Sequence, residues 1–402
     1  MKLKLAWKNL WRNRRRTLIT VASVFFALFF SIVMNGYMDG MWGQMIANTL
    51  KTQSGHIEIH GTDWWDDKTV DNFMTMDSLA IQELRSLSNV ENVSPRIETF
   101  ALASFGNVSK GVALVAVSPS QENAKSKLSS RVIEGKYLAE SDNGVLIGAG
   151  LAKYLKVSVG DTLAFIGQGY QGSSAAGLFP VHGILQLAIT EMDNSLVYAT
   201  LPAIQTFIDM PDGYSGILIT LKDDRSLDET METINSTLHS KDYEVMNWHF
   251  TMKRLLQTAE SDKAFSKFVL FILYVIVGFG ILGTVIMLTN ERKREFRMLV
   301  SLGMQRGRLV ATLCLELLIM SLLSVVSGIA IALPLVFYFH SHPIQITGEM
   351  AEMFNDLGME AVIPFSVEPK IFVTQVVIVI ILTAIAAIYP IRKIKILKLT
   401  EQ

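Results

Sequence analysis

Several residue patterns in this chain have types and spacings that could do chemistry. His56, Glu58 and His60, in GHIEIHG, fall on one face of a strand, and His-x-Glu-x-His offers three donors to a metal ion. The same alternation fits a solvated strand face, which the isolated pattern favours. Glu316 is the single charge in the apolar run 309–339, and a carboxylate inside a membrane segment is a functional suspect. It lies roughly 11 Å along a helix from Leu309, close enough to one end to snorkel or to pair with Arg306 or Arg308. His340 and His342, at the other end of that run, read as a pair at the water interface. GQGYQGSSAAG, at 167–177, is glycine-rich like a phosphate loop, but it joins two strands and precedes no helix, so it reads as a flexible hairpin. No GxxxxGK[ST], GxSxG, HExxH or CxxC occurs, so the chain offers neither a P-loop nor a catalytic constellation and is not expected to be an enzyme.

The elements that must position these residues follow from hydropathy. The chain has 402 residues, 50% of them hydrophobic and 18% charged, with a mean hydropathy of +0.34. That is too apolar for an ordinary soluble protein and too charged for one lying wholly in a membrane. The runs 17–38, 268–289, 309–339 and 371–391 carry one charge between them, Glu316. About 20 helical residues cross a bilayer core, and only a helix satisfies its own backbone in lipid without closing a barrel. Four transmembrane helices are therefore expected, at 17–38, 267–289, 309–339 and 371–391. This count excludes a two-span sensor kinase.

Net charge is −1, but residues 1–16, 290–308 and 392–402 together hold 17 basic and 3 acidic side chains, which leaves 19 basic and 34 acidic elsewhere. The excess of Lys and Arg assigns these three segments to the cytoplasm, and four spans put both termini on that side. Residues 39–266 and the loop 340–370 are then extracytoplasmic. The first run is longer than a signal-peptide core and lacks a small-residue cleavage site, so it is expected to be retained. The lone cysteine, Cys314, falls in the third span, and the outer domain must fold without a disulfide.

Within 39–266, strand–helix–strand order occurs twice, around 55–103 and again around 215–248. Short strands with glycine turns lie between the two copies. The expected fold class is an α+β membrane protein whose large extracytoplasmic, porter-like αβ lobe, 52–110 and 206–250, carries an inserted mostly-β lobe, 111–205. Met34, Met38, Met41 and Met45 share one helix face, so the first span should continue outward to about residue 49, with a matching stalk at about 252–267 before the second span. The Met stripe fits either core or dimer packing, or an adaptable surface for lipid.

The segment NERKREFRMLVSLGMQRGRLV, 290–310, then stands out: a short charged amphipathic helix between two spans, ended by Gly303. It reads either as a topology-fixing loop or as a lever that a cytosolic partner pushes. Glu291, Arg292, Glu295, Gly303, Glu316 and Gly328 fit the pattern Glu-Arg-x-x-Glu, Gly, then a span with an early Glu and later small residues. With AWKNLWRNRRRTLIT at the start and YPIRKIKILKLT at the end, including Pro390 and Arg392, the chain resembles the FtsX/MacB-like ABC permeases of the mechanotransmission type over nearly its whole length. QSGHIEIH and GVLIGAGLAKYLKVSVGDTLAFIG are similar to the outer domain of the lipoprotein-releasing permeases.

The resemblance implies a multi-pass permease of the inner (cytoplasmic) membrane that pairs with a second permease subunit, identical or not, and with two copies of a cytosolic ABC ATPase. Those partners bind ATP and Mg; this chain is expected to hold no cofactor, no metal and no nucleic acid. The family's coupling helix maps to Glu291, Arg292, Arg294, Glu295, Phe296, Leu299 and Gly303. Extraction of lipoprotein or lipid from the outer leaflet would use a lining of Met34, Met38, Met41, Phe271, Val275 and Phe279. A hairpin at 167–180, with Tyr170, Leu178, Phe179 and Pro180, matches the place where one paralogue hooks a periplasmic lipoprotein chaperone. The alternatives are a MacB-like exporter of peptides, antibiotics or lipids, which would have an ATPase fused in front, and an FtsX-like regulator that carries force to a periplasmic enzyme.

Overall fold

The computed structural model describes residues 2–12, 14–52, 54–187, 190–238, 242–348, 351, 354 and 362–396. Parts of the expected loop 340–370 and of the tail 392–402 lie outside the described residues. The chain forms two compact units: a helical one, Met1–Gln44 with Thr258–Ile344 and Val362–Gln402, and a sheet-based one, Met45–Gln257 with Gln345–Ala361.

Thirteen helices are assigned among the described residues, and six of them belong wholly or largely to the helical unit. In chain order the full set is α1 (Lys2–Arg12), α2 (Arg14–Thr52), α3 (Ser78–Ser86), α4 (Pro119–Ser126), α5 (Ala149–Leu155), α6 (Thr190–Asp193), α7 (Leu201–Phe207), α8 (Leu227–Leu238), α9 (Trp248–Thr251), α10 (Lys253–Glu291), α11 (Lys293–Ser301), α12 (Arg306–Ser341) and α13 (Pro369–Lys395). Helices α2, α10, α12 and α13 are long and apolar enough to cross a membrane. The helices continue past the apolar runs, to Thr52 in α2 and from Lys253 in α10.

Lipid tails are as apolar as leucine, so spans associate by close packing rather than by the hydrophobic effect. On α12, Ser324, Gly328, Ala332 and Val336 recur every fourth residue and are buried. A Cβ added at Gly328 would lie 2.6 Å from a methyl of Leu28 on α2, itself fully buried. The shared core joins Leu28 and Ile32 of α2 to Tyr274 and Ile281 of α10, Met320 and Val336 of α12, and Val379 and Ala386 of α13. Gly40 allows residues 364–366 to lie on α2: an added Cβ there would meet the Pro364 carbonyl at 2.6 Å, and Ser366 N–H donates to the Gly36 carbonyl at 2.8 Å.

The sheet unit contains β1 (Ile57–Gly61), β2 (Met74–Thr75), β3 (Val90–Phe105), β4 (Val108–Val117), β5 (Val132–Gly135), β6 (Val145–Gly148), β7 (Thr162–Gln168), β8 (Ser174–Leu185), β9 (Leu196–Thr200), β10 (Gly213–Tyr214), β11 (Gly216–Leu221) and β12 (Tyr243–Asn247). Strands β12, β1, β11 and the first half of β3 form an antiparallel sheet. Helices α3 and α8 contribute Ile81, Leu84, Leu227 and Ile234 to a core with Ile57, Ile59, Ile217 and Ile219 of that sheet. This is the twice-repeated strand–helix–strand pattern of the sequence.

The inserted lobe is a closed six-stranded barrel. β3 pairs β4, β4 pairs β9, β9 pairs β6, β6 pairs β8, β8 pairs β7, and β7 returns to β3. Alternate residues of all six strands fill it, among them Ile97, Leu114, Ile147, Leu163, Phe179 and Val197. The boundary expected at 111 moves to about Ile97, because β3 is one 16-residue strand shared by both lobes. Nothing in its alternation marks where its partner changes from β11 to β4.

The reading of His56, Glu58 and His60 as a solvated face is corrected. β1 is an inner strand and all five of its residues are buried. The His60 ring stacks on Trp64, its Nδ1 lies 2.7 Å from the Ser215 carbonyl and its Nε2 lies 3.0 Å from Glu58. His56 Nδ1 accepts the Leu221 N–H at 3.2 Å. His60 and Glu58 therefore bond each other, and His56 serves a separate local bond.

Candidate functional site: a charged clamp at the basic end of the spans

Helix α11 is short, and its ends are defined by backbone geometry. Arg292 breaks the run from α10 with φ −93° and ψ 7°. At the other end Gly303 takes φ +90°, its N–H bonds the Val300 carbonyl, and the Met304 N–H bonds the Leu299 carbonyl. This is a Schellman closure, which needs a residue tolerant of the left-handed region. Gly303→Ala is expected to destabilise this end by about 1 kcal/mol, so that hydrogen exchange at Gly303 and Met304 speeds roughly five-fold. Unchanged exchange there would show that the turn does not depend on glycine.

One face of α11 points inward. Phe296 is 2% exposed and packs with Leu309, Leu313 and Ile394, with Leu299 and Val300 alongside. The other face carries Arg294, Met298 and Leu302, all exposed, with Met298 and Leu302 at 59% and 78%. Helical spacing of i, i+4 and i+8 makes these three one stripe.

Ion pairs hold the inward side. Glu316 is 3% exposed, and the Arg292 Nη1 donates to both of its oxygens at 2.9 and 2.8 Å. Asn9 of α1 donates to the same carboxylate at 2.7 Å. Arg292 also reaches Glu295 through Nε at 3.3 Å, and its guanidinium sits 5.3 Å from the Phe296 ring centre. Glu295 in turn accepts from Arg12 at 2.8 Å, and Glu291 accepts from Arg16. Burial pushes the Glu295 carboxyl up, but the bonds from Arg12 and Arg292 outweigh it and hold the group below its ordinary value. The Thr17 hydroxyl bonds the Leu10 carbonyl at 3.1 Å near the end of α1, and Arg306 donates to the Lys395 carbonyl of α13 at 2.9 Å. These bonds tie α11 to α1 and α12, join α2 to α1 and to the end of α10, and join α12 to α13.

The network corrects one expectation and completes others. Glu316 pairs with Arg292 and Asn9 rather than with Arg306 or Arg308. Arg292 binds inward, Glu291 and Glu295 pair with Arg16 and Arg12 at the surface, and Arg294 is exposed. Phe296, expected at a partner surface, lies in the core, because its face of α11 covers α12 and α13. Asn9, Arg12 and Arg16 are site residues that sequence reasoning missed. A signal was present: Arg12 and Arg16 are four apart, as are Glu291 and Glu295, and matched spacing lets two helical turns pair.

The remaining candidates are dispersed. Met34 is exposed, Met38 lines a cavity described below, and the half-buried Met41 accepts from the Tyr37 hydroxyl at 3.5 Å. Phe271, Val275 and Phe279 form an exposed stripe of α10, opposite its buried Leu270, Tyr274 and Val277. Of the two sets only Met38 lines that cavity. In the β7–β8 hairpin, Leu178 is exposed at 72%, but Phe179 is buried against Phe165 and Phe207. Tyr170 and Pro180 are half-buried. The hairpin tip is tethered rather than free: Asp71 accepts from the Gln171 N–H at 2.7 Å and from Gln168 at 3.2 Å, and the Tyr170 N–H bonds the Ile208 carbonyl at 2.9 Å.

Comparison with known proteins places this architecture. The MacB-like periplasmic core domain matches residues 17–237 and the FtsX-like permease C-terminal domain matches residues 267–399. The chain is 21% identical over 281 residues to the lipoprotein-releasing system transmembrane protein LolC of Neisseria meningitidis, covering 68% of this chain and 64% of that one. It is 23% identical over 344 residues to the pyoverdine export ATP-binding/permease protein PvdT of Pseudomonas fluorescens, covering 82% and 51%. It is 23% identical over 261 residues to LolE of Haemophilus influenzae, covering 62% and 60%. The chain thus spans between half and two thirds of the length of these relatives. Among solved structures, the periplasmic region of MacB from Actinobacillus actinomycetemcomitans aligns with 53% of this chain and 98% of its own length, at 16% identity and a TM-score of 0.37. With a family match over more than half of its residues and four membrane-length helices, the chain is a multi-pass membrane protein and belongs to the MacB/FtsX-like family of ABC transporter permeases.

Proposed function

We propose that the chain is a permease subunit of an ABC transporter of the lipoprotein-releasing type. Both termini and α11 face the cytoplasm, and the sheet unit lies in the periplasm. A separate ATPase binds ATP and Mg, docks on α11 and drives lipid or lipoprotein out of the bilayer with a second permease subunit. The observation that carries this reading is the two-sidedness of α11. Its outer stripe of Arg294, Met298 and Leu302 lies outside the core among the described residues, while its inner side is fixed to α1, α12 and α13. A rigid lever with an exposed apolar and cationic face suits docking into a groove of a partner.

The likeness to LolC and LolE supports the lipoprotein role, and the likeness to PvdT supports the alternative of a small-molecule exporter. In the first case the Met34, Met38 and Met41 face of α2 and the Phe271, Val275 and Phe279 stripe of α10 would guide acyl chains between partner subunits. Leu178 would be the exposed contact of the β7–β8 hairpin for a chaperone.

The test pairs two outward substitutions, Arg294→Glu and Leu302→Asp. Each removes a contact of hot-spot type, so together they should weaken ATPase co-purification at least about 30-fold. Thermal melting of the chain should not change, because neither side chain packs inward. Wild-type ATPase retention by the double variant would refute docking at this face. Intact mass spectrometry of the wild-type complex should find triacylated lipoprotein; a soluble peptide or siderophore in its place would transfer the reading to the exporter.

A further inference from the structure

The charge distribution contains one exception to its own rule. The basic segments gather at one end of the spans, yet Lys263, Lys267 and Lys370 converge at the opposite end, where loops of membrane proteins are depleted in lysine. They surround a cavity of about 390 Å³ formed by α2, α10 and the start of α13, with Asn35, Met38 and Asp39 on α2 and Thr374 and Gln375 on α13. This volume is in the range of small-molecule sites.

The polar groups of the cavity are incompletely paired. Lys263 bonds Asp39 at 2.8 Å, while Lys267 and Lys370 are in no ion pair among the described residues. Gln375 is 4% exposed, and its side-chain oxygen accepts from the Tyr274 hydroxyl. Ser266 is 2% exposed and lines the cavity, yet its hydroxyl has no hydrogen-bond partner among the described residues. Ser31 of α2 shares this state, but most hydroxyls of these helices do not. Ser23, Thr289, Ser324 and Thr374 each bond the carbonyl four residues back, the default outlet for a hydroxyl inside a helix. A buried hydroxyl left without a partner is destabilising, and a ligand oxygen can supply the missing bond.

We propose that this cavity binds the phosphate of a membrane phospholipid headgroup. Lys267 and Lys370 supply the positive charge and Ser266 a hydrogen bond, while Met38 and Ile371 contact the start of the acyl chains. Long lysine side chains at a span end lie at headgroup level, where they meet phosphate. Counting Lys263, Lys267 and Lys370 against Asp39 and Glu368, the cavity is +1, which suits an anionic group. The inference goes beyond the docking reading and does not rest on it. It needs only that the four long helices span a bilayer, and lipid binding here is measured separately from ATPase binding at α11.

The test uses the full-length chain in nonionic detergent, titrated with phosphatidylglycerol and read by native mass spectrometry. Lys267→Gln with Lys370→Gln should lower occupancy of the tightest lipid about tenfold. Ser266→Ala should lower it several-fold, and the charge-preserving pair Lys267→Arg with Lys370→Arg should keep it. The arginine pair separates loss of the site from loss of the fold. Diacylglycerol, which lacks the phosphate, should not compete. Equal lipid retention by the glutamine pair, or full competition by diacylglycerol, would overturn the proposal. So would binding of inorganic phosphate as tightly as of the lipid, since a free anion would then be the ligand.

Discussion

Replacing Glu316 by Ala should cost about 3–5 kcal/mol of stability, the largest effect of any single substitution in the helical unit. The carboxylate is buried and accepts two bonds from Arg292 and one from Asn9. Its removal leaves the Arg292 guanidinium, whose side chain is only 12% exposed, without its buried partner in a low-dielectric setting. The remaining contact with Glu295, at 3.3 Å and 41% exposed on the acid, is weaker. The loss should appear as a lower melting temperature in detergent and as release of α1, read by faster hydrogen exchange around Asn9. A second variant separates structure from function. Arg292→Met with Glu316→Leu replaces the pair by apolar groups and should recover most of the stability, because no charge is left buried alone. If the clamp transmits force, coupled ATP turnover stays low in that double variant. Recovery of both stability and turnover would reduce the pair to a structural role, and a Glu316→Ala protein that melts like wild type would remove the clamp from the mechanism altogether.

The second large effect is expected in the sheet unit, at Glu122→Ala. Glu122 of α4 is 5% exposed and receives Arg96 of β3 at 3.2 Å; the Arg96 side chain is 12% exposed. Glu98, the other acid near Arg96 at 3.3 Å, is largely in solvent. Burial, and then the charge of Arg96, pull the Lys125 ammonium below its ordinary value, while Glu122 opposes that fall. Removing Glu122 takes the buried counter-charge from Arg96, which keeps Glu98, and weakens the support of Lys125, and about 3 kcal/mol should be lost. Limited proteolysis of the full chain should then cut near α4 and β4, with the spans untouched. The residues at stake also line a groove of about 410 Å³ with Trp64, Lys68, Phe100 and Tyr198. If cleavage and melting match those of wild type, α4 is not held by this pair.

Local rules made the spans legible. A run of 22 residues without charge has no stable home but a helix in lipid or a deeply buried core, and such runs alternate here with basic segments. The strand–helix–strand repeats were equally clear, since periods of 2 and 3.6 are properties of neighbouring residues. Gly303 announced the end of α11 because only glycine readily takes φ +90°. The charge balance and the amphipathic run of 290–308 likewise marked the candidate site before any fold was known.

Which charge meets which was decided by tertiary structure. Glu316 lies nearest Arg306 and Arg308 in sequence but pairs with Arg292, because α11 folds back across the start of α12, and with Asn9, 307 positions away. Burial of β1 was equally hidden: a single strand's alternation cannot reveal that both of its faces are covered, so His60 and Glu58 read as wet until Trp64 stacked over them. Barrel closure depended on β7 returning to β3, a pairing between residues some 60 positions apart that no local period encodes. The same limit applied to Phe179, whose side of the strand became the inside only once the barrel closed. Sequence by itself determined the elements and the sign of charge at each end of the spans, because those follow from short-range chemistry. The fold alone determined the partners, because a side chain's neighbours across space depend on how distant segments return to one another.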